Sequence, residues 1–292
     1  MIVLRQLSRR RLPVSLQEIP DPPEQLYLVG PLSLEDKPSI AMVGSRAASW
    51  QGLRFAEQLA REIAALGMVV ISGLARGIDT ASHQGALAVG GKTIAVLGQG
   101  CDIPYPRQNA NLHQTVASQG LLVSEYPPGT PPKGYHFPAR NRLITGLCDA
   151  LIVVEAKKRS GSLISAQWAL EQGKEVFAVP GNVDTGAASG CHALIRDGAH
   201  LLESITDLIA VLPHLLPAPA RRLSPQSIGA PLAHWSPLQK TIWSLLASGP
   251  LTANLLLDHL AVSVAHFTQA MHGLESEGSI TRDQIGYHRT IN

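Results

Sequence analysis

From Ser39 onward the chain alternates short apolar runs with segments whose apolar positions recur at helical spacing. The runs are Ile40–Val43, Met68–Ile71, Thr93–Leu97, Leu121–Val123, Ala150–Val154 and Val176–Val179. They are rich in Val and Ile and lack polar alternation, which suits parallel strands buried on both faces. Between them lie segments such as Leu53–Leu66, where Phe55, Leu59, Ile63 and Leu66 fall on one helical face. Alternation repeated this often predicts an α/β fold with a doubly wound parallel sheet over residues 39–212.

The flanks read differently. Residues 1–38 carry Pro13, Pro20, Pro22, Pro23, Pro31 and Pro38 and predict an irregular lead-in with one short strand at Leu26–Val29. Residues 213–234, with Pro213, Pro217, Pro219 and Pro231 among Ala and Leu, predict a linker. Residues 235–292 predict a small domain with helices at Pro237–Ala247, Thr252–Leu260 and Ser263–Glu277. A ribbon follows from Glu277–Arg282 and Gly286–Arg289. Three helices and a ribbon form a winged-helix pattern. The segment at the place of a recognition helix, Ser263–Met271, has no Arg or Lys, so base readout from it is not expected.

Nearly every strand of the sheet ends in a Gly or Ser turn: Gly44-Ser45-Arg46, Ser72-Gly73, Gly98-Gln99-Gly100, Ser160-Gly161-Ser162 and Pro180-Gly181-Asn182. Ligands of open α/β sheets bind at the carboxyl ends of the strands, so these turns should share one rim. A single such turn needs no ligand to explain its glycine. Five on one edge, with Arg46, Arg140, Arg142 and Arg159 nearby, point to an extended anion-binding track.

The densest piece is His136-Phe137-Pro138-Ala139-Arg140-Asn141-Arg142, which places an aromatic ring beside two guanidinium forks. Forks and helix N-termini bind phosphate oxygens, and an exposed Phe137 offers a face to an unstacked base. Arg140 and Arg142 have a second reading as ion-pair partners of Asp149 or Glu155. Asp79 reads as the cap of the helix that begins there, and Glu125 as an isolated carboxylate. Two nucleotide motifs fail: Gly91-Lys92-Thr93 has Ala86 at the required upstream glycine, and Gly98-Gln99-Gly100 has Ile103 at the third glycine.

Composition narrows the function. A formal charge of +2 over 292 residues is no polycation, so nucleic-acid binding must come from local clustering of Arg and Lys. Cys101, Cys148 and Cys191 are far apart and odd in number, which argues against a disulfide framework or a zinc site and fits a reducing cytoplasm. Arg9-Arg10-Arg11 is not followed by an apolar signal core, and no run of 18 apolar residues occurs, so neither secretion nor a membrane span is expected. No carboxylate pair, metal-ligand spacing or nucleophile–base pattern accompanies the cationic turns. The residues describe a cytoplasmic protein that holds a nucleic-acid strand, without catalysis or cofactor.

The ordered set Val43–Arg46, Ser72–Asp79, Asp102–Pro106, Phe137–Arg142, Ser160–Ala166 and Ala178–Gly181 resembles the DNA processing protein A family, also called DprA or Smf. The likeness covers roughly residues 39–212. It implies an extended Rossmann-like domain that binds single-stranded DNA, usually as a homodimer. It further implies protection of incoming DNA during natural transformation and loading of a RecA-type recombinase onto it. Carried over, Gly44, Ser45 and Arg46 bind phosphate, while Lys133, Phe137 and Arg140 receive backbone and base. Gly73, Asn141, Arg142, Ser160, Gly161 and Ser162 complete the DNA-binding set. The lead-in is too short for the N-terminal helical domain of many members; His192 and Ser165 stand where Asn and Thr are common. A related hydrolase class that cleaves nucleotide N-glycosidic bonds needs a Glu in the helix beginning near Ser160, and none stands at that place. A winged-helix regulator is the third reading.

Overall fold

The computed structural model describes residues 4–34, 38–215, 234–246, 253–260, 262–282 and 287–289. The chain divides into two compact units, Met1–Pro217 and Ala218–Asn292.

The larger unit is built on a nine-stranded sheet. Its strands are β1 (Leu4–Ser8), β2 (Gln25–Val29), β3 (Ser39–Val43), β4 (Val69–Ser72), β5 (Thr93–Leu97), β6 (Leu121–Ser124), β7 (Ala150–Val153), β8 (Glu175–Ala178) and β9 (His200–Leu201). They lie in the order β1-β2-β6-β5-β4-β3-β7-β8-β9. Every pairing from β6 across to β9 is parallel. The chain starts the parallel part at β3, runs outward to β6, then returns to place β7 on the other side of β3. This reversal opens a crevice at the carboxyl ends of β3 and β7.

Helices cover both faces: α1 (Val14–Gln17), α2 (Trp50–Ala65), α3 (Ile78–Ala88), α4 (Ala110–Gln119), α5 (His136–Leu147), α6 (Ser162–Glu171), α7 (Ser189–Arg196) and α8 (Ile205–Val211). Side chains of a strand point alternately to opposite faces, and β3 shows both layers. Ile40 and Met42 pack with Leu59 and Ile63 of α2 and Leu208 of α8. Ala41 and Val43 pack with Leu143 and Ile144 of α5 and Ala166 of α6. Both sets are buried, as the unalternating apolar runs predict.

The lead-in differs from expectation. Residues 1–38 supply β1 and β2, which extend the sheet antiparallel from β6. Leu26 and Leu28 enter the core on one side of β2, whereas β1 is mostly exposed. An exposed edge strand needs no apolar run, so its pattern is faint. Leu12, Leu16 and Ile19 are also buried, under α5. Of the predicted linker, Pro213–Leu215 form a short turn with Leu215 in the core, and residues 216–233 lie outside the described residues.

The smaller unit contains α9 (Pro237–Leu245), α10 (Ala253–Leu260) and α11 (Val264–Ser276), then β10 (Ile280–Arg282) paired antiparallel with β11 (Tyr287–Arg289). Its core gathers Trp235, Ile242, Trp243, Leu256, Phe267, Met271, Leu274 and Ile280. The expected order of three helices and a ribbon is present; Ala247, Thr252 and Gly286, expected at element ends, lie outside the described residues.

Among the described residues, no helix is long and apolar enough to cross a membrane. The three cysteines are free and buried. Burial pushes the Cys101 and Cys148 thiols up to about 12 and Cys191 to about 11. A thiol held protonated and out of solvent is a poor nucleophile. An aromatic disulfide reagent should therefore leave native protein unlabelled over minutes at pH 8 and titrate all three thiols in guanidinium. Rapid native labelling would show that these positions open.

Candidate nucleic-acid interface

The crevice between the ends of β3 and β7 is a cleft of about 810 Å³. One buried carboxylate holds its walls in place. Glu155, just after β7, accepts the Ser49 backbone N–H at 3.1 Å and the Ser49 hydroxyl at 2.6 Å. Ser49 in turn caps α2, accepting from the Gly52 N–H at 3.0 Å. The Glu155 carbonyl takes the Ser45 N–H at 2.7 Å. The turns after β3 and β7 are thus tied directly to each other, the Glu155 carboxylate holding Ser49 and its backbone carbonyl holding Ser45. Glu155 is thereby occupied, and it is not the partner of an arginine.

Gly44, Ser45, Arg46, Phe137, Arg140, Asn141, Ser160, Gly161 and Ser162 all line this cleft, joined by Tyr105, Lys157 and Arg159. The Gly44 turn is tightly packed: a Cβ there would press on Ile78 and the Glu155 carbonyl. Gly77, which precedes α3, has φ +78° and leaves room only for hydrogen against the Ser45 carbonyl. A side chain at that position would be strained and would displace the turn that carries Arg46. Within the turn the Ala47 N–H is taken by the Ser45 hydroxyl at 3.2 Å. With the Ser45 N–H also engaged, the anion-binding capacity of this turn lies in the exposed Arg46 guanidinium more than in the amides that the sequence suggests.

The second turn is self-capped in the same way. Ser160 and Ser162 share a hydrogen bond between hydroxyls at 2.7 Å, and the Ser162 N–H donates to the Ser160 hydroxyl at 3.3 Å. Asn141 reaches across from α5 to the Gly161 carbonyl at 3.4 Å. What the turn presents is two hydroxyls, the positive end of the α6 dipole, and the exposed Lys157 and Arg159 beside it.

Phe137 is half-buried and not the exposed platform expected. Its ring stacks on Tyr105 with centroids 5.4 Å apart, and the Arg46 guanidinium carbon lies 5.4 Å from its centroid. Gly98 packs beneath it, where a Cβ would crowd the ring edge. The aromatic surface of the cleft is therefore a Tyr105–Phe137 pair, of which Tyr105 is the more exposed member. Tyr105 was recognisable only as part of Asp102–Pro106, a piece without a cation to draw attention.

Arg140 and Arg142 part company. Arg140 is 4% exposed and projects to the cleft floor. It donates to the Gly73 carbonyl at 3.0 Å, and a Cβ on Gly73 would overlap its guanidinium, so glycine is required there. Its Nε and Nη1 are buried with no hydrogen-bond partner among the described residues. Asp79 stands 4.0 Å from Nη2. The Asp79 carboxylate accepts the Gly73 and Ala75 N–H groups at 3.2 and 3.3 Å, so it braces the loop before α3 and does not cap the first turn of that helix. Burial raises its pKa, against the opposing pull of Arg140. Burial in turn lowers the Arg140 guanidinium to about 10. A cation with two idle donors on the floor of a cleft is poised for an anion.

Arg142 turns away and does not line the cleft. It binds both Glu125 oxygens at 2.7 and 3.0 Å, Asp21 at 2.8 Å and the Ala139 carbonyl at 3.0 Å. Its partners are neither Asp149 nor Glu155; Asp149 instead accepts the Ser39 N–H at 2.7 Å. Glu125 is accordingly half of an ion pair. Lys133 stands between cleft residues Pro132 and Gly134 without lining the cleft itself, with its Nζ 5.9 Å from the exposed Tyr135 ring. Gly73 lies in a smaller adjoining cavity.

A doubly wound α/β domain with a cationic, aromatic-lined cleft at its switch point defines the class: a Rossmann-like protein. The chain belongs to the DNA recombination-mediator protein A family, whose model matches residues 4–213. The match begins at β1, so the antiparallel strands belong to the family domain. The chain is 49% identical over 198 residues to DNA processing protein DprA of Streptococcus pneumoniae, covering 68% of this chain and 70% of that one. It is 42% identical over 204 residues to protein Smf of Synechocystis, where it spans about half (51%) of the relative's length. The X-ray structure of the Streptococcus pneumoniae protein superposes with a TM-score of 0.68 at 47% identity, over 71% of this chain and 74% of that one. DNA processing protein A from Helicobacter pylori, a structure reported for its single-stranded DNA binding mode, gives 0.66 at 32% identity over 72% and 96%.

Proposed function

We propose that this chain binds single-stranded DNA in the cleft between β3 and β7 and acts as a recombination mediator without catalysis. The observation that carries the reading is the convergence of Arg46, Arg140, Lys157 and Arg159 with the Tyr105–Phe137 pair in one cleft. Asp79 is the one carboxylate among the lining residues, and it is buried and bound to backbone. Cations follow a flexible phosphate backbone and rings stack bases regardless of sequence, which is the chemistry of single-strand binding. The likeness to the Helicobacter pylori protein supports the same ligand. Handing the strand to a RecA-type recombinase during DNA uptake, and working as a homodimer in the cytoplasm, complete the proposal on family grounds.

Hydrolysis of a nucleotide N-glycosidic bond is disfavoured, because α6 carries no carboxylate on its first two turns. The smaller unit is assigned to contacts with protein partners: α11, at the place of a recognition helix, has no Arg or Lys.

Fluorescence anisotropy with matched oligonucleotides tests the reading. Single strands should bind well above duplex, with affinity falling by roughly 0.7 log unit per log salt for each phosphate neutralised. Arg46→Ala removes an exposed cation and no core contact, so it should melt like wild type and lose about ten- to a hundredfold in affinity, the worth of one charge-assisted contact of ~1.5–3 kcal/mol. Equal or tighter duplex binding, or undiminished binding by the variant, would overturn the assignment.

A further inference from the structure

Beside the main cleft lies a cavity of about 60 Å³ lined by Arg46, Arg76 and Arg140, with Gln99, Tyr105 and Phe137 among its walls. No carboxylate lines it among the described residues. Three arginines line so small a space, and the Arg46 charge opposes that of Arg140, a repulsion that a bound anion relieves. Arg140 brings the two donors, Nε and Nη1, that are buried and without partners among the described residues. Arg76 is exposed and lines this cavity but not the larger cleft.

Size limits the occupant. At about 60 Å³ against about 810 Å³ for the cleft, the cavity is a side space and not a channel for the length of a strand. An internal phosphodiester would have to bring two sugars with it and leave again. A terminal phosphomonoester enters on a single ester bond, keeps three free oxygens for three guanidiniums, and carries nearly two negative charges at neutral pH. Arg46, Arg140, Tyr105 and Phe137 line both spaces, so a strand in the cleft can end in the cavity.

We propose that this cavity is an end-recognition site that seats the terminal phosphate of a strand held in the cleft. The proposal rests on the single-strand reading of the cleft and adds to it a preference for phosphorylated ends, with Arg76 as the residue specific to the end.

The test uses the full chain and oligothymidylates of one length with an internal fluorophore: 5′-phosphorylated, 3′-phosphorylated, unphosphorylated and circular. One phosphorylated form should bind at least about tenfold tighter than the unphosphorylated and circular forms, the scale of one charge-assisted contact, and which one does so identifies the end. Arg76→Ala should erase that gain and leave affinity for the circle unchanged. Equal affinity of all four forms for wild type, or a preference that survives in the variant, overturns the proposal. Should no oligonucleotide bind, the cleft reading fails by itself, and inorganic phosphate becomes the probe of the cavity. At ionic strength matched with sodium chloride, phosphate should raise the melting temperature of wild type and not of Arg76→Ala; an equal response, or none in wild type, overturns the cavity assignment.

Discussion

Arg142→Met should lower the stability of the larger unit by about 3 kcal/mol while leaving single-strand affinity of the folded protein intact. The residue is 4% exposed and each of its three guanidinium nitrogens is engaged, binding Glu125, Asp21 and the Ala139 carbonyl. It thereby pins the proline-rich N-terminal segment and the end of β6 to α5. Breaking a buried ion pair by deleting one partner costs about 3–5 kcal/mol. The lower end applies here, because Glu125 keeps 24% of its side chain in solvent and Asp21 72%, so water takes over part of the lost interaction. For a unit of this size the loss corresponds to a melting temperature lower by roughly 6–12 °C. Calorimetry and anisotropy at 20 °C separate the two effects. A stable variant with weakened DNA binding would mean that Arg142 belongs to the cleft after all.

The second large effect is an acid-induced loss of stability governed by His83. Its Nδ1 lies 2.7 Å from the Thr93 hydroxyl, which itself donates to the Val70 carbonyl at 2.8 Å. The Thr93 oxygen therefore accepts, Nδ1 carries the proton, and Nε2 is the bare nitrogen, buried and without a partner among the described residues. Burial pushes the imidazole pKa down to about 3, and the nearby Arg140 charge adds to the shift. The unfolded chain takes up this proton near pH 6.5 and the folded chain does not. The stability tied to His83 is thus complete above about pH 6.5 and is lost as pH falls toward 3. Each pH unit in that window costs about 1.4 kcal/mol, for a total on the order of 5 kcal/mol. His113, also lowered by burial, adds in the same direction. Urea titrations of wild type and His83→Asn at pH 7.5, 6 and 4.5 provide the check. The variant should be the less stable at pH 7.5, and the gap should narrow steadily with acid. A constant gap would show that His83 is protonated in the folded state.

The strongest sequence signals concern the sheet. Runs such as Ala150–Val154 lack polar alternation because β7 is covered on both faces, and that condition is written locally. β1 was not legible for the converse reason, since an exposed edge strand obeys no burial pattern, and the prolines around it suggest irregularity. The Gly44 and Ser160 turns were legible as chemistry because ligand-facing turns of this fold follow the strands directly. That their amides are largely spent on Glu155, Ser45 and Ser160 was not, since those bonds join segments more than 100 residues apart or depend on the side-chain geometry of the turn.

The sequence by itself determined the alternating α/β architecture, the rim of glycine and serine turns, the cationic cluster at residues 136–142 and the membership that follows from their order. Only the tertiary structure decided between Arg140 and Arg142. Two residues apart on α5, they point roughly 200° apart around the helix axis, so one faces the cleft whenever the other faces away. Which one does so depends on how α5 is rotated against the sheet, and Leu143 and Ile144 set that rotation by packing beneath β3. The same is true of Arg76 and Tyr105, which meet Arg46 and Arg140 only because separate loops end at one sheet edge. Local pattern carries burial and turn chemistry; the direction of a long side chain is a property of the packed whole.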